Sequence, residues 1–482
     1  MTIRSKLMQL ERVARQLEPT KTQRLQVRNQ VINYTEHFLD TLESQKAYQY
    51  ENDSGLGLLN SPISEKPISI KQALSLVRKN VDFPALNPAS GGHLGYIPGG
   101  GLYFSSLGDY IADITNRYAG VFYAGPGAVR MENMLLRWAA KCVGYPPSAA
   151  GNITSGGSIA NLIGICTARD AKGIHSAQIP TSVIYMTEQA HHSLAKAIRI
   201  AGLGESIVRN VPMDNNYRMD AKELEMMVKS DIKSKLNPFL LIASAGTTDT
   251  GSIDPLTALG LIARKYKLWY HVDAAYGGFF VLTKEGKRKL GGMEQSDSLV
   301  IDPHKGLFLP YGIGMLLVKN SKQLNATHFY QANYMQDALP DSEEPSPADL
   351  SPELTKHFRG LRMWLPLKLH GVKPFRACLE EKLLLAKYFH TEVRRLGFET
   401  GPDPELSVVT YRFVPRHGNA NAFNKKLLHA VRKDGRVFIS STMLEGKFTL
   451  RFACLSFRTH VSTVNILLQV LKSEVARLEK RR

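Results

Sequence analysis

Lys305 closes the run Ser296-Asp297-Ser298-Leu299-Val300-Ile301-Asp302-Pro303-His304-Lys305-Gly306, in which an apolar stretch breaks off into Asp-Pro-His-Lys. A lysine held at the rim of a sheet is placed to bond covalently to the carbonyl of a cofactor. Upstream, Trp269-Tyr270-His271-Val272-Asp273-Ala274-Ala275-Tyr276-Gly277-Gly278 is a second strand-like run, ending in a carboxylate and then small residues. An acid at such a position keeps a pyridine nitrogen protonated and turns the ring into an electron sink. Singly, such a lysine is a solvated cap and such an aspartate a turn residue. In this order they ask for one shared site.

A lysine for an aldehyde and an acid for a ring nitrogen are what pyridoxal 5'-phosphate requires. A third element, Thr187-Glu188-Gln189-Ala190-His191-His192-Ser193, contains Gln-Ala-His. With these three elements the chain resembles the group II pyridoxal-phosphate-dependent decarboxylases, the family of aromatic-L-amino-acid and glutamate decarboxylases, from about residue 80 to residue 460. The resemblance implies an α/β chain of fold type I and α-decarboxylation of an L-amino acid to the amine and carbon dioxide, an aromatic amino acid being one candidate substrate. It also implies a homodimer with shared active sites. Lys305 would carry the cofactor, Asp273 would protonate the pyridine nitrogen, and His191 would stack on the ring with Ala275 against the other face. His192 is expected to start a helix instead.

The phosphate needs backbone donors free of side-chain obstruction. Thr154-Ser155-Gly156-Gly157-Ser158-Ile159-Ala160-Asn161 offers hydroxyls and glycine amides where a helix should begin. A plain Gly-Ser turn is the alternative. The resemblance carries the phosphate to Gly157 and Ser158, sets His304 near it, and assigns Thr248, in the loop Ser244 to Ser252, a contact with cofactor and substrate. Decarboxylation then requires a proton donor for the substrate carbon. The resemblance points to Tyr334, reaching in from the neighbouring subunit, with Tyr330 as the nearby competitor.

Substrate choice is thinly marked. Tyr96 and Pro98 match a substrate segment of the family, whereas Ile97 stands where an aromatic residue is usual and Gly306 follows the lysine where many relatives carry tryptophan. His93 binds a polar group or merely packs. Another reaction of the same fold, carbon-carbon cleavage or aldehyde-forming oxidative deamination, is the runner-up. Retention of tyrosine at 334 ranks amine formation first.

The elements that must position these residues follow from periodicity. Between about 150 and 320, short β-rich runs (182 to 186, 239 to 243, 268 to 272, 298 to 301) alternate with amphipathic segments (159 to 170, 256 to 266). That pattern predicts a mainly parallel sheet covered by helices. Residues 1 to about 60 read as a helical arm, with Leu10, Val13 and Leu17 at helical spacing and too little apolar surface for a core of its own. The expected division is a helical N-terminal arm and dimerisation segment over 1–100, a large cofactor-binding domain over 101–370, and a small α+β C-terminal domain over 371–482. Between Tyr330 and Thr355 periodicity disappears, and the acidic, proline-rich stretch from Met335 to Ser351 is expected to form a lid.

Composition bounds the rest. A chain of 482 residues, 43% hydrophobic, is too long for one ordinary core. No run of eighteen apolar residues predicts a membrane span, and the charged N-terminus does not read as a signal peptide, so a cytoplasmic enzyme is expected. Four cysteines far apart suggest reduced packing thiols, with no metal site. The net charge of +18 raises nucleic acid as a partner. Its spread from Arg4 to Arg482, with acids interleaved and no nucleic-acid motif, speaks against one, leaving a small amino acid as the expected ligand.

Overall fold

The computed structural model describes residues 2–50, 55–330 and 344–480. The β-rich runs form a seven-stranded sheet in the order Ala150–Thr154, Gly314–Val318, Ser298–Ile301, Trp269–Asp273, Asn237–Ser244, Ser182–Met186, Ile207–Asn210. The last five pair in parallel, and Gly314–Val318 runs antiparallel to both neighbours. Its reversal has a local cause. Between Ile301 and Gly314 the only helix is the four-residue turn Pro303–Gly306, too short to carry the chain back along the sheet for a parallel crossover.

Helices cover both faces. Along Asn237–Ser244, Leu241 and Ala243 enter one core while Leu240 and Ile242 enter the other, the period-two alternation of a strand buried on both sides. The expected helices appear as Gly157–Ala171 and Leu256–Lys265.

The C-terminal region builds a five-stranded sheet in the order Glu399–Thr400, Val408–Arg412, Lys447–Ala453, Phe438–Leu444, His93–Leu94. All its pairs are antiparallel except the last, so a strand from the N-terminal region closes the C-terminal sheet.

The arm is helical over Ile3–Ala14 and Lys21–Thr41, shorter than the expected 60 residues. Thr20 and Gln23 form a capping box that starts the second helix. Neither helix has a buried residue. Ile3 is 82% and Leu17 86% exposed, so the apolar stripe of the first helix has no cover among the described residues.

The lid expectation needs correction over its second half. Residues 335–343 lie outside the described residues. From 344 onward the segment is clamped: Glu344 accepts from Arg137 and Asn133, Ser346 Oγ accepts from Phe122 N, and Pro347 O accepts from Asn152. Leu350 is buried. An acidic and proline-rich composition marks lost periodicity, not lost packing.

Candidate active site

The large sheet delivers its polar residues where strands end. Thr154 leads into Ser155-Gly156, Met186 toward His191, Ser244 toward Thr248, and Ile301 into Asp302, while Asp273 is itself a terminal strand residue. In open α/β sheets this carboxyl edge is where ligands bind. Here it frames a cavity of about 360 Å³. Gly157, Ser158, His191, Thr248, Asp273, Ala275, His304 and Lys305 all line it. Tyr96 and Pro98 do not, and the Tyr96 side chain is largely exposed beside Phe438. Tyr334 lies outside the described residues, and its competitor Tyr330 is exposed.

Lys305 belongs to the helical turn Pro303–Gly306 and not to a strand end. Three residues of helix bring its Nζ to 3.1 Å from Asp302 Oδ2. Asp302 is 1% exposed, and its Oδ1 has no hydrogen-bond partner among the described residues. His304 Nε2 stands 3.8 Å from the same carboxylate, while Nδ1 bonds the Ile313 carbonyl. Burial lowers the proton affinity of His304, and Asp302 opposes that shift.

Asp273 is held from two sides. Its Oδ1 accepts from Ala275 N at 3.1 Å and its Oδ2 from Asn161 Nδ2 at 3.2 Å. His191 is the N-cap of the helix His192–Ile200, which His192 starts as expected. The His191 Nδ1 accepts from Ser193 N and pairs with Ser193 Oγ at 2.7 Å. Burial pushes its proton affinity below the ordinary histidine value, against the pull of Asp273, and so favours the neutral ring.

The glycine cup is built for close approach. A Cβ on Gly157 would stand 2.8 Å from Asp302 Oδ2 and 3.3 Å from Ala275 Cβ. In the first turn, Ile159 N and Ala160 N both return to Gly156 O, leaving the N–H groups of Gly157 and Ser158 for a ligand at the positive helix end. Amide donors for a phosphate, a lysine and a carboxylate, all lining one cavity, match the polar ends of pyridoxal phosphate. The residues present fit that group.

Asn161, Asp302 and Tyr311 also line the cavity, and no motif in the sequence assigns them a role there. Asn161 is a polar residue one turn after Gly157, set between Ile159-Ala160 and Leu162-Ile163, and Asp302 is the acid before Pro-His-Lys. Tyr311 carried no signal, because its neighbours Leu309 and Pro310 read as plain loop.

An α/β chain with parallel strands, helices on both faces and a lysine and an aspartate at the carboxyl edge defines a fold-type-I pyridoxal-phosphate enzyme. The family model described as the pyridoxal-dependent decarboxylase conserved domain matches residues 58–414. An aromatic-L-amino-acid decarboxylase of Bacillus atrophaeus is 31% identical over 420 residues, 86% of each chain. Tyrosine decarboxylase 2 of Arabidopsis thaliana is 31% identical over 411 residues, 82% of this chain and 75% of that protein. The crystal structure of Oryza sativa TDC with PLP and tryptamine shares the fold at a TM-score of 0.90 and 24% identity, over 95% of this chain and 99% of that one. The chain belongs to the pyridoxal-dependent decarboxylase family, as the resemblance implied. It is a carboxy-lyase whose cofactor is pyridoxal 5'-phosphate.

Proposed function

We propose that this enzyme removes the α-carboxylate of an aromatic L-amino acid, with Lys305, Asp273 and His191 as the residues that touch the cofactor. The observation that carries the assignment is that all three side chains line one cavity with an unobstructed glycine cup. The aromatic substrate rests on the relatives, which act on aromatic amino acids by name. When bound, pyridoxal phosphate supplies the carbonyl for covalent attachment and the ring that takes up the electrons released with carbon dioxide.

The protein's own work is then to bind, orient and supply protons. The amides of Gly157 and Ser158, with His304 nearby, would hold the phosphate. Asp273 would hold the proton on the ring nitrogen, and His191 and Ala275 would bracket the ring. Thr248 would contact cofactor and substrate. Tyr334 would give its phenolic proton to the substrate carbon that loses carbon dioxide. A phenol there favours the amine over the aldehyde-forming alternative.

The uncovered stripe of the N-terminal arm supports a homodimer, with residues 1–100 as its dimerisation segment, 101–370 binding the cofactor and 371–482 forming the small domain. Four free cysteines are in keeping with a reducing, cytoplasmic setting. Among the described residues no helix is long and apolar enough to cross a membrane.

The test is a screen of amino acids for carbon dioxide release by the holoenzyme, combined with borohydride reduction and peptide mapping. Release from tyrosine, tryptophan or phenylalanine with label on Lys305 is the expected outcome. Label on another lysine, or release from glutamate alone, would overturn the corresponding half of the reading.

A further inference from the structure

Behind Asp273 lies a chain of buried polar groups that the reaction does not itself need. Trp269 Nε1 lies 2.8 Å from Ser298 Oγ, Ser298 Oγ 2.7 Å from His271 Nδ1, His271 Nε2 2.9 Å from Asn161 Oδ1, and Asn161 Nδ2 3.2 Å from Asp273 Oδ2. The His271 side chain is entirely buried. An indole nitrogen only donates, and an ionised carboxylate only accepts. The carboxylate end orders the links: the amide N–H gives to the carboxylate, Nε2–H gives to the amide oxygen, and on a neutral ring Nδ1 then accepts from the Ser298 hydroxyl, whose oxygen also accepts from the indole. Burial holds His271 protonation down to about 4, which keeps the ring neutral with the single N–H this order requires.

We propose that His271 is a positioning residue: by donating to Asn161 it locks the amide so that an N–H, and not a carbonyl, faces Asp273. An N–H given to a carboxylate stabilises its charge and so favours leaving the shared proton on the cofactor's ring nitrogen. Were the amide to turn over, its oxygen would oppose the carboxylate and weaken the electron sink. The same amide reaches Ser193 Oγ at 3.3 Å, and Ser193 holds His191, so one locked side chain sets both partners of the ring. Space is reserved for this ring, since a Cβ on Gly164, one turn after Asn161, would stand 2.9 Å from His271 Cε1.

The proposal rests on reading Asp273 as the partner of the ring nitrogen, and the experiment separates the two. Apoenzyme is reconstituted with ring-nitrogen-labelled pyridoxal phosphate and the nitrogen NMR shift is read for wild type, Asp273→Asn, His271→Phe and His271→Gln. Wild type should show a protonated ring nitrogen and Asp273→Asn an unprotonated one. His271→Phe should move the resonance toward the unprotonated value and lower kcat on the order of tenfold. His271→Gln, which restores an N–H near the Nε2 position, should recover most of the shift. A resonance unmoved in Asp273→Asn overturns the Asp273 reading. One that moves there but not in His271→Phe overturns the relay alone. Should His271→Phe not fold, Ser298→Ala decides, a shift in the same direction supporting the relay and no shift overturning it.

Discussion

The Lys305 ammonium lies 3.1 Å from the buried carboxylate of Asp302, one helical turn back along the chain. The pair gives the lysine a fixed rest position beside the glycine cup, and it sets a charge next to the helix terminus assigned to the phosphate. Asp302→Asn keeps the shape and removes the charge. Turnover should fall on the order of tenfold, because a hydrogen bond to a charged group is lost at the attachment point. The rate at which added cofactor becomes resistant to removal after borohydride measures the same loss directly. Unchanged attachment would mean that Lys305 is positioned without Asp302.

Tyr334→Phe removes one phenolic proton and little else. The amine rate should drop, and aldehyde with ammonia and peroxide should appear, since the electron-rich carbon left after carbon dioxide departs then meets oxygen before a proton. Amine, aldehyde and peroxide are assayed side by side with whichever substrate proves active. A mutant making amine at the wild-type rate transfers the role to Tyr330 or to water.

Lys356 and Glu132 form an ion pair 2.8 Å apart with both side chains fully buried. Lys356 also donates to Asn152 Oδ1 and Ile153 O, tying the clamped segment to the strand that leads into the glycine cup. Glu132→Gln leaves the ammonium without its counter-charge and should cost about 3–5 kcal/mol of stability. The double change Glu132→Leu with Lys356→Met removes both charges and should recover most of it. Denaturant unfolding of the three proteins checks the order.

His93 packs edge-on against Phe438 with both ring nitrogens lacking a hydrogen-bond partner among the described residues, and burial pushes its protonation down to about 4. Above about pH 6.5 the ring is neutral in folded and unfolded chains and contributes no slope. From about pH 6.5 to about pH 4 the unfolded chain takes a proton that the folded one refuses, so stability falls as pH falls. His93→Phe should flatten that decline by up to about 3 kcal/mol, as read from urea midpoints at stepped pH. An unchanged slope would assign the acid sensitivity to His271 or other groups.

The local motifs were legible because their chemistry is written in adjacent residues. Asp273 before Ala274-Ala275 and Lys305 after Pro303-His304 each combine an apolar run with a reactive end, and Gly157-Ser158 puts bare amides at a helix start. The strands 182 to 186 and 298 to 301 appear with the bounds that β-rich runs predicted. Periodicity of two or of 3.6 is a property of neighbours, so it survives without knowledge of the fold.

What only the tertiary structure decided is which distant groups face each other. Asn161 meets Asp273 across 112 positions of chain, and Lys356 meets Asn152 across 204. A polar residue on a helix has the same local signature whether it faces water or a buried carboxylate. Strand His93–Leu94 joins a sheet made from the last hundred residues because Phe438–Ile439 leaves it a free edge. A two-residue strand has no period to read, and its backbone partners are supplied entirely by the packing of the rest.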